Sequence, residues 1–286
     1  MSDGLQVSQL SSLLVEDAVR AALREDLGRA GDLTSDAITN PGDETSALIR
    51  TRARGCIAGM QLAEATFRAL DSQVSFDVVV SDGTVADPGA IIAEVRGPAR
   101  AILTGERTAL NFLIHLSGIA TLTHTYVDAV AGTSAHICCT RKTTPGLRAL
   151  EKYAVRVGGG MNHRFGLDDA ILIKDNHIAF AGDIATAIER VRARAGHMVK
   201  VEVEVDTLAQ LETVLGFDVD AVLLDNMTPD HLKAAVRLAG GRVITEASGG
   251  VSLETVRAIA EAGVNLISVG ALTHSAPALD LGLDLA

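Results

Sequence analysis

Beyond a long helical stretch that begins near residue 101, one pattern recurs along the chain: a short apolar run stopped by charged or polar residues, then an amphipathic helical stretch. The runs are HICCT ending at Thr140-Arg141-Lys142, AILIKD ending at Lys174-Asp175, and VKVEVEVD ending at Glu204 and Asp206. AVLLDN follows, ending at Asp225-Asn226, then RVITEASGG at Glu246 and Ser248-Gly249-Gly250, and NLISVGALTH at Gly270 to His274. Strands that alternate with helices predict a parallel sheet, because a parallel crossover needs a helix-length connection. Six such units with no doubly wound fingerprint favour an open or closed α/β barrel of the TIM type, of about seven strands. A further strand would lie around VRVGGG at 155–160 or in the helical stretch before 136. In such barrels the active site sits at the carboxyl ends of the strands, and every polar cluster just named falls there.

The first hundred residues have a different texture. Residues 13–27 carry Leu14, Ala18, Ala21 and Ala22 at helical spacing, and GDLTS at 31–35 reads as a turn. Strand-like pieces follow: ALIRTRA from 47, CIAGM from 56, SFDVVV from 75 and AIIAEV from 90, punctuated by SDG at 81 and DPG at 87. These predict an amino-terminal α+β sandwich domain over 1–112, a catalytic α/β barrel over 113–278, and a tail, 279–286, that packs back on the first domain. DGTVADPGAIIAEVRG has the shape of a lipoyl or biotinyl module, but no lysine sits at a hairpin tip, so no carrier function is expected.

A formal net charge of −11 argues against a nucleic-acid surface. No apolar run reaches the roughly 18 residues of a membrane span. The start of the chain lacks the basic region of a secretory signal. Cys56, Cys138 and Cys139 show no ligand-like spacing and read as reduced, mostly buried thiols, which fits the cytoplasm.

The chemistry lies at the strand ends. Arg141, Lys142, His163, Arg164 and Lys174 bring cations to or near them. Two like charges 4 Å apart cost roughly 4 kcal/mol at an effective dielectric of about 20, so a shared mouth needs anionic partners. Arginine forks suit carboxylate and phosphate, which points to a multiply anionic ligand. In VEVEVD the alternation puts Glu202, Glu204 and Asp206 on one face, and acids facing the inside of a barrel require a cation or a network. Glu204 and Asp225 together suit Mg²⁺, which uses one or two carboxylates plus waters and substrate phosphates. Ser248-Gly249-Gly250 and Gly270-Ala271, in the last two strand loops, suit a phosphate.

TRKTTPGLRALEKYAVRVGGGMNHRFGLDDAILIKDNH, 140–177, resembles the central signature of the quinolinate phosphoribosyltransferase family. GERTALNFLIHLSGIAT from 105, VEVEVD from 201, LLDN from 223, EASGG from 246 and SVGALTH from 268 resemble it in the same order, over essentially the whole chain. The resemblance implies that Thr140, Arg141, Lys142, His163, Arg164 and Lys174 surround a pyridine dicarboxylate, quinolinate, and the donor phosphoribosyl pyrophosphate. It implies that Glu204 and Asp225 face the ribose, the pyrophosphate and Mg²⁺, and that Ser248, Gly249, Gly250, Gly270 and Ala271 take the 5-phosphate with His274 nearby. It also implies a homodimer or an assembly of dimers, in which Arg107 reaches the neighbouring active site.

The expected reaction displaces pyrophosphate from the anomeric carbon, with Glu204 and Asp225 stabilising the positive ribose; the carboxylate beside the new pyridinium then leaves as CO₂. Lys142 or Lys174 orients that carboxylate or supplies the proton. Three rivals use the same residues. A Schiff-base aldolase would employ Lys142 or Lys174 but has no need of the arginines. A nicotinate enzyme would need fewer cations, and a binding barrel would lack Glu204 and Asp225.

Overall fold

The computed structural model describes residues 7–286, so the first six residues of the chain start read above lie outside the described residues. In chain order come α1 (Ser12–Leu27), α2 (Leu33–Ile38), β1 (Glu44–Thr51), β2 (Gly55–Cys56), α3 (Met60–Leu70), β3 (Ser75–Val78), β4 (Val85–Ala86), β5 (Ile91–Pro98) and α4 (Ala99–Ala129). Then follow β6 (His136–Cys138), α5 (Arg148–Val157), β7 (Ile171–Ile173), α6 (Asp175–Ala181), α7 (Ile184–Arg192), β8 (Val201–Val205), α8 (Leu208–Val214) and β9 (Ala221–Asp225). The chain closes with α9 (Pro229–Ala239), β10 (Ile244–Ser248), α10 (Val256–Glu261), β11 (Leu266–Ser268), α11 (Ala271–His274) and β12 (Leu281–Leu285).

The chain divides into two compact units, and the division is not a single cut. One unit takes residues up to His124, then Pro145–Gly159 and Ser275–Ala286; the other takes Thr125–Thr144 and Gly160–His274. Each of the two returning segments has a clear physical tie to the first unit. Leu281–Leu285 pairs antiparallel with β1, and Tyr153 on α5 donates to Asp82 Oδ2 at 2.7 Å.

The first unit holds a four-stranded antiparallel sheet in the order β12-β1-β5-β3. Its inner face buries Ala47, Ile49, Ala93 and Val95 against Phe67 of α3 and Ile102, Leu110 and Leu113 of α4. Two local readings of the sequence change here. GDLTS is not only a turn: Asp32 Oδ1 accepts the amides of Thr34 and Ser35 at 3.1 and 3.0 Å and so caps the short helix α2. Of CIAGM only Cys56 is strand, as the end of the two-residue β2, before Gly59 turns at φ +106° and α3 begins, its Met60, Ala63 and Phe67 falling on one buried stripe.

The second unit is built on a six-stranded parallel sheet ordered β6-β11-β10-β9-β8-β7. Strands of three to five residues suffice because both faces are buried: Val201, Val203, Val222, Leu224 and Ile267 are all fully enclosed. VRVGGG at 155–160 is the end of α5 and its exit rather than a strand. Met161 just beyond it pairs with β6, its N–H donating to Ile137 O at 2.8 Å and its carbonyl accepting from Cys139 N–H at 3.0 Å. The carboxyl ends of all six strands line one cavity, the arrangement of an open α/β barrel.

Candidate active site

The cavity at these strand ends has a volume of about 740 Å³. Its lining includes Thr140, Arg141, Lys142, His163, Arg164, Lys174, Glu204, Asp225, Ser248, Gly249, Gly250, Gly270, Ala271 and His274. Every site residue read from the sequence is therefore gathered here, save Arg107, which stands exposed on α4 in the other unit. The lining also contains Asn226, Glu246 and Ser268, which the sequence did not single out as site residues.

The loop after β6 is fixed by its own polar groups. Lys142 N–H donates to Thr140 Oγ1 at 3.1 Å, and Thr273 Oγ1 donates to Lys142 O at 2.7 Å, so the last strand loop braces the first. Arg164 donates to Ala170 O at 3.0 Å, which holds its guanidinium across the base of its loop. Burial, and then the charge of Arg141, hold Arg164 below the usual arginine pKa. Arg141 Nε is buried without a hydrogen-bond partner among the described residues. A buried donor left unpaired beside a second arginine calls for an anion.

Two pairings of an acid with a basic side chain organise the remaining polar groups. At the rim, Lys174 Nζ meets Glu204 Oε2 at 2.9 Å. At the floor, His163 Nε2 meets Glu202 Oε2 at 2.9 Å and lies 3.7 Å from Glu246 Oε1. The face of β8 that carries Glu202 and Glu204 is thus only partly solvated, and each acid has found a cation or an imidazole. The donor atoms of His163, Glu202 and Glu246 all lie within 4.8 Å of one another, close enough for a metal ion. The guanidinium of Arg164 already faces the charge of Glu202 there, however, and opposes a divalent ion more strongly than a proton.

Backbone geometry shapes the phosphate side. Asn226 adopts φ +53°, its Nδ2 donates to Asp225 Oδ2 at 2.6 Å and its N–H to Ser248 O at 2.9 Å. Gly249 sits against it at φ +91°; a Cβ there would come within 2.2 Å of Asn226 Oδ1, so no side chain fits. Gly249 and Gly250 follow in succession at positive φ, and both line the cavity. The next helix, α10, begins only at Val256, so loop amides rather than a helix end form this part of the site.

Known proteins place this architecture. The family model described as quinolinate phosphoribosyl transferase, C-terminal domain, matches residues 119–284, and the corresponding N-terminal domain matches residues 32–117. The chain is 47% identical over 262 residues to the probable nicotinate-nucleotide pyrophosphorylase (carboxylating) of Bacillus subtilis, covering 91% of this chain and 90% of that protein. It is 45% identical over 274 residues to the nicotinate-nucleotide pyrophosphorylase (carboxylating) of Mycobacterium leprae, covering 94% and 96%. Among solved structures, the nicotinate-nucleotide pyrophosphorylase of Francisella tularensis superposes with a TM-score of 0.93 at 38% identity, over 100% of both chains.

Proposed function

The chain belongs to the quinolinate phosphoribosyl transferase family, and from that premise we propose that its cavity joins the ribose of phosphoribosyl pyrophosphate to the ring nitrogen of quinolinate. The products are nicotinate mononucleotide, pyrophosphate and CO₂; the reaction is a pentosyl transfer in NAD biosynthesis. The observation that carries the site assignment is the convergence of Arg141, Lys142, Arg164 and Lys174 with the acids Glu204 and Asp225 around one cavity.

The residues divide the work by charge. Quinolinate carries two adjacent carboxylates, which the arginines, with Arg141 Nε still lacking a partner, are built to receive. The loops at Gly249-Gly250 and Gly270-Ala271 take the 5-phosphate and fix the ribose over β8 and β9. As pyrophosphate departs, positive charge develops on the ribose, and Glu204 and Asp225 stand at the adjacent strand ends to stabilise it. Those two carboxylates, open to the cavity and close to the phosphate loops, fit a Mg²⁺ shared with the substrate, which when bound would neutralise pyrophosphate oxygens. Lys174, paired with Glu204, and Lys142, beneath Gly270, are the amines available to orient the leaving carboxylate or return a proton to the ring.

Two further assignments belong to this reading. A second copy of the chain completes the cage with its Arg107, making the working form a homodimer or an assembly of dimers. Arg107 is exposed on α4, and Thr108 next to it lines an apolar groove with Leu14, Ala18, Ala21, Phe112 and Leu150, a surface suited to another copy. The protein works in the cytoplasm: Cys56, Cys138 and Cys139 are buried thiols, and among the described residues no helix is long and apolar enough to cross a membrane.

The deciding experiment supplies phosphoribosyl pyrophosphate and Mg²⁺ with quinolinate or nicotinate in parallel. Nicotinate mononucleotide and CO₂ from quinolinate alone is the expected result. Turnover of nicotinate instead would overturn the dicarboxylate cage.

A further inference from the structure

Glu246 on β10 and Glu202 on β8 reach the same point beneath the cavity from either side of β9. His163 Nδ1 accepts the backbone N–H of Arg164 at 2.7 Å, so the ring proton sits on Nε2. That single N–H faces both carboxylates, with Glu202 at 2.9 Å and Glu246 at 3.7 Å. It can satisfy one of them, and the distances say it is Glu202. The facing oxygen of Glu246, Oε1, is buried with no hydrogen-bond partner among the described residues, and its side chain is only 2% exposed. An ionised carboxylate can only accept, so two anions here would face each other across one shared donor. A proton on Glu246 removes that repulsion and turns the orphaned oxygen into a possible donor.

We propose that Glu246 is a positioning residue that works as a neutral acid, completing the floor under His163 without placing a second negative charge beneath a dianionic substrate. The inference rests on the reading of the cavity as a quinolinate site. The groups that face Glu246 are Glu202 from β8, His163 from the loop before β7, Ser268 from β11 and Cys138 from β6. Burial and then the charge of Glu202 push the Glu246 carboxyl up to about 7, against smaller opposing effects of His163, Ser268 and Cys138. The neutral form is therefore available at physiological pH. Its loss just above that pH would add a charge where quinolinate must approach.

The test is steady-state KM for each substrate in wild type and in Glu246→Gln, whose amide imitates the neutral acid. Wild-type KM for quinolinate is expected to rise several-fold, at most about tenfold per pH unit, above about pH 7, while KM for phosphoribosyl pyrophosphate changes less than about twofold. Glu246→Gln is expected to keep the low quinolinate KM across the range. A flat wild-type profile, a slope that survives in Glu246→Gln, or a variant KM raised more than about tenfold at pH 6 would overturn the proposal. A second measurement depends neither on the variant's folding nor on turnover. In the ligand-free wild type, a protonated-carboxyl infrared band at about pH 6 should vanish by about pH 8. Its absence at the lower pH overturns the neutral acid. Failure of the wild type to turn over quinolinate at any pH, with the band present, would overturn the substrate reading instead.

Discussion

Strand β8 presents two glutamates on one face, two residues apart, themselves 15% and 11% exposed, and they meet an exposed and an enclosed partner at the same distance. Glu204 pairs at 2.9 Å with Lys174, whose side chain is 48% exposed. Glu202 pairs at 2.9 Å with His163, whose side chain is 14% exposed, over the buried Glu246. Water screens the rim pair, so it contributes little to stability and can open when a charged substrate arrives. The floor pair has no such substitute, and breaking it leaves charge stranded in a low dielectric. One strand thus supplies an exchangeable acid for chemistry and a fixed acid for architecture, and the exposure of each partner makes the difference.

The sharpest way to break this comparison is at the rim. Glu204→Ala should lower kcat by a factor on the order of 10² to 10³, the usual effect of removing one transition-state stabilising group. Its melting temperature should fall by no more than about 2–4 °C, because the lost pair is screened. A much larger drop would make Glu204 as structural as Glu202. The floor should answer in stability instead: Glu202→Ala is expected to cost up to about 3 kcal/mol of folding stability, read from the urea midpoint, since it removes the 2.9 Å acceptor of a buried His163 N–H. Retention of full stability would show the floor to be as exchangeable as the rim.

The sequence carried much of this. An apolar run that stops at Lys174, Glu204 or Asp225 marks both the strand and its carboxyl end, and in a parallel barrel those ends must converge. For that reason the lining residues of one cavity were readable from six separate segments. Depth was not readable. Alternation places Glu202 and Glu204 on one face, but which one lies beneath His163 depends on a loop some forty positions away in the chain, as about that separation in their hydrogen bond shows. Glu246 was visible at a strand end, yet its importance comes from Glu202 and His163, neither of them a sequence neighbour. Gly249 read as part of a phosphate loop, but the 2.2 Å approach to Asn226 that excludes a side chain there is a contact between two loops. The return of α5 to the first unit leaves no local trace either, because Tyr153 meets Asp82 only after folding.

Acidity probes the floor without removing any atom from the backbone. The Glu246 carboxyl stands near 7 in the folded protein against an ordinary 4.5, so the native state holds a proton that the unfolded chain releases. That contribution to stability is fully present below the ordinary value and is lost as pH rises through the folded value. Relative to wild type, Glu246→Gln should therefore gain stability between about pH 5 and pH 8, by up to about 3 kcal/mol on the linkage relation. Urea denaturation of both proteins at the two pH values reads the difference. An unchanged gap would mean that Glu246 is ionised throughout and that the floor holds two anions.

The smallest effect is the most discriminating between rim and floor. Lys174→Met removes the cation of the exposed pair while keeping the apolar stem, so only the screened charge interaction is lost. The expected stability change is below about 1 kcal/mol, and it should shrink further when ionic strength is raised, because the pair already shares its field with water. Activity should still fall, since Lys174 lines the substrate cavity. Equal losses of stability from Lys174→Met and Glu202→Ala would mean that burial does not separate the two pairs. A small, salt-sensitive loss from the first beside a large, salt-insensitive loss from the second would show that the exposure of its partner decides what each glutamate can do.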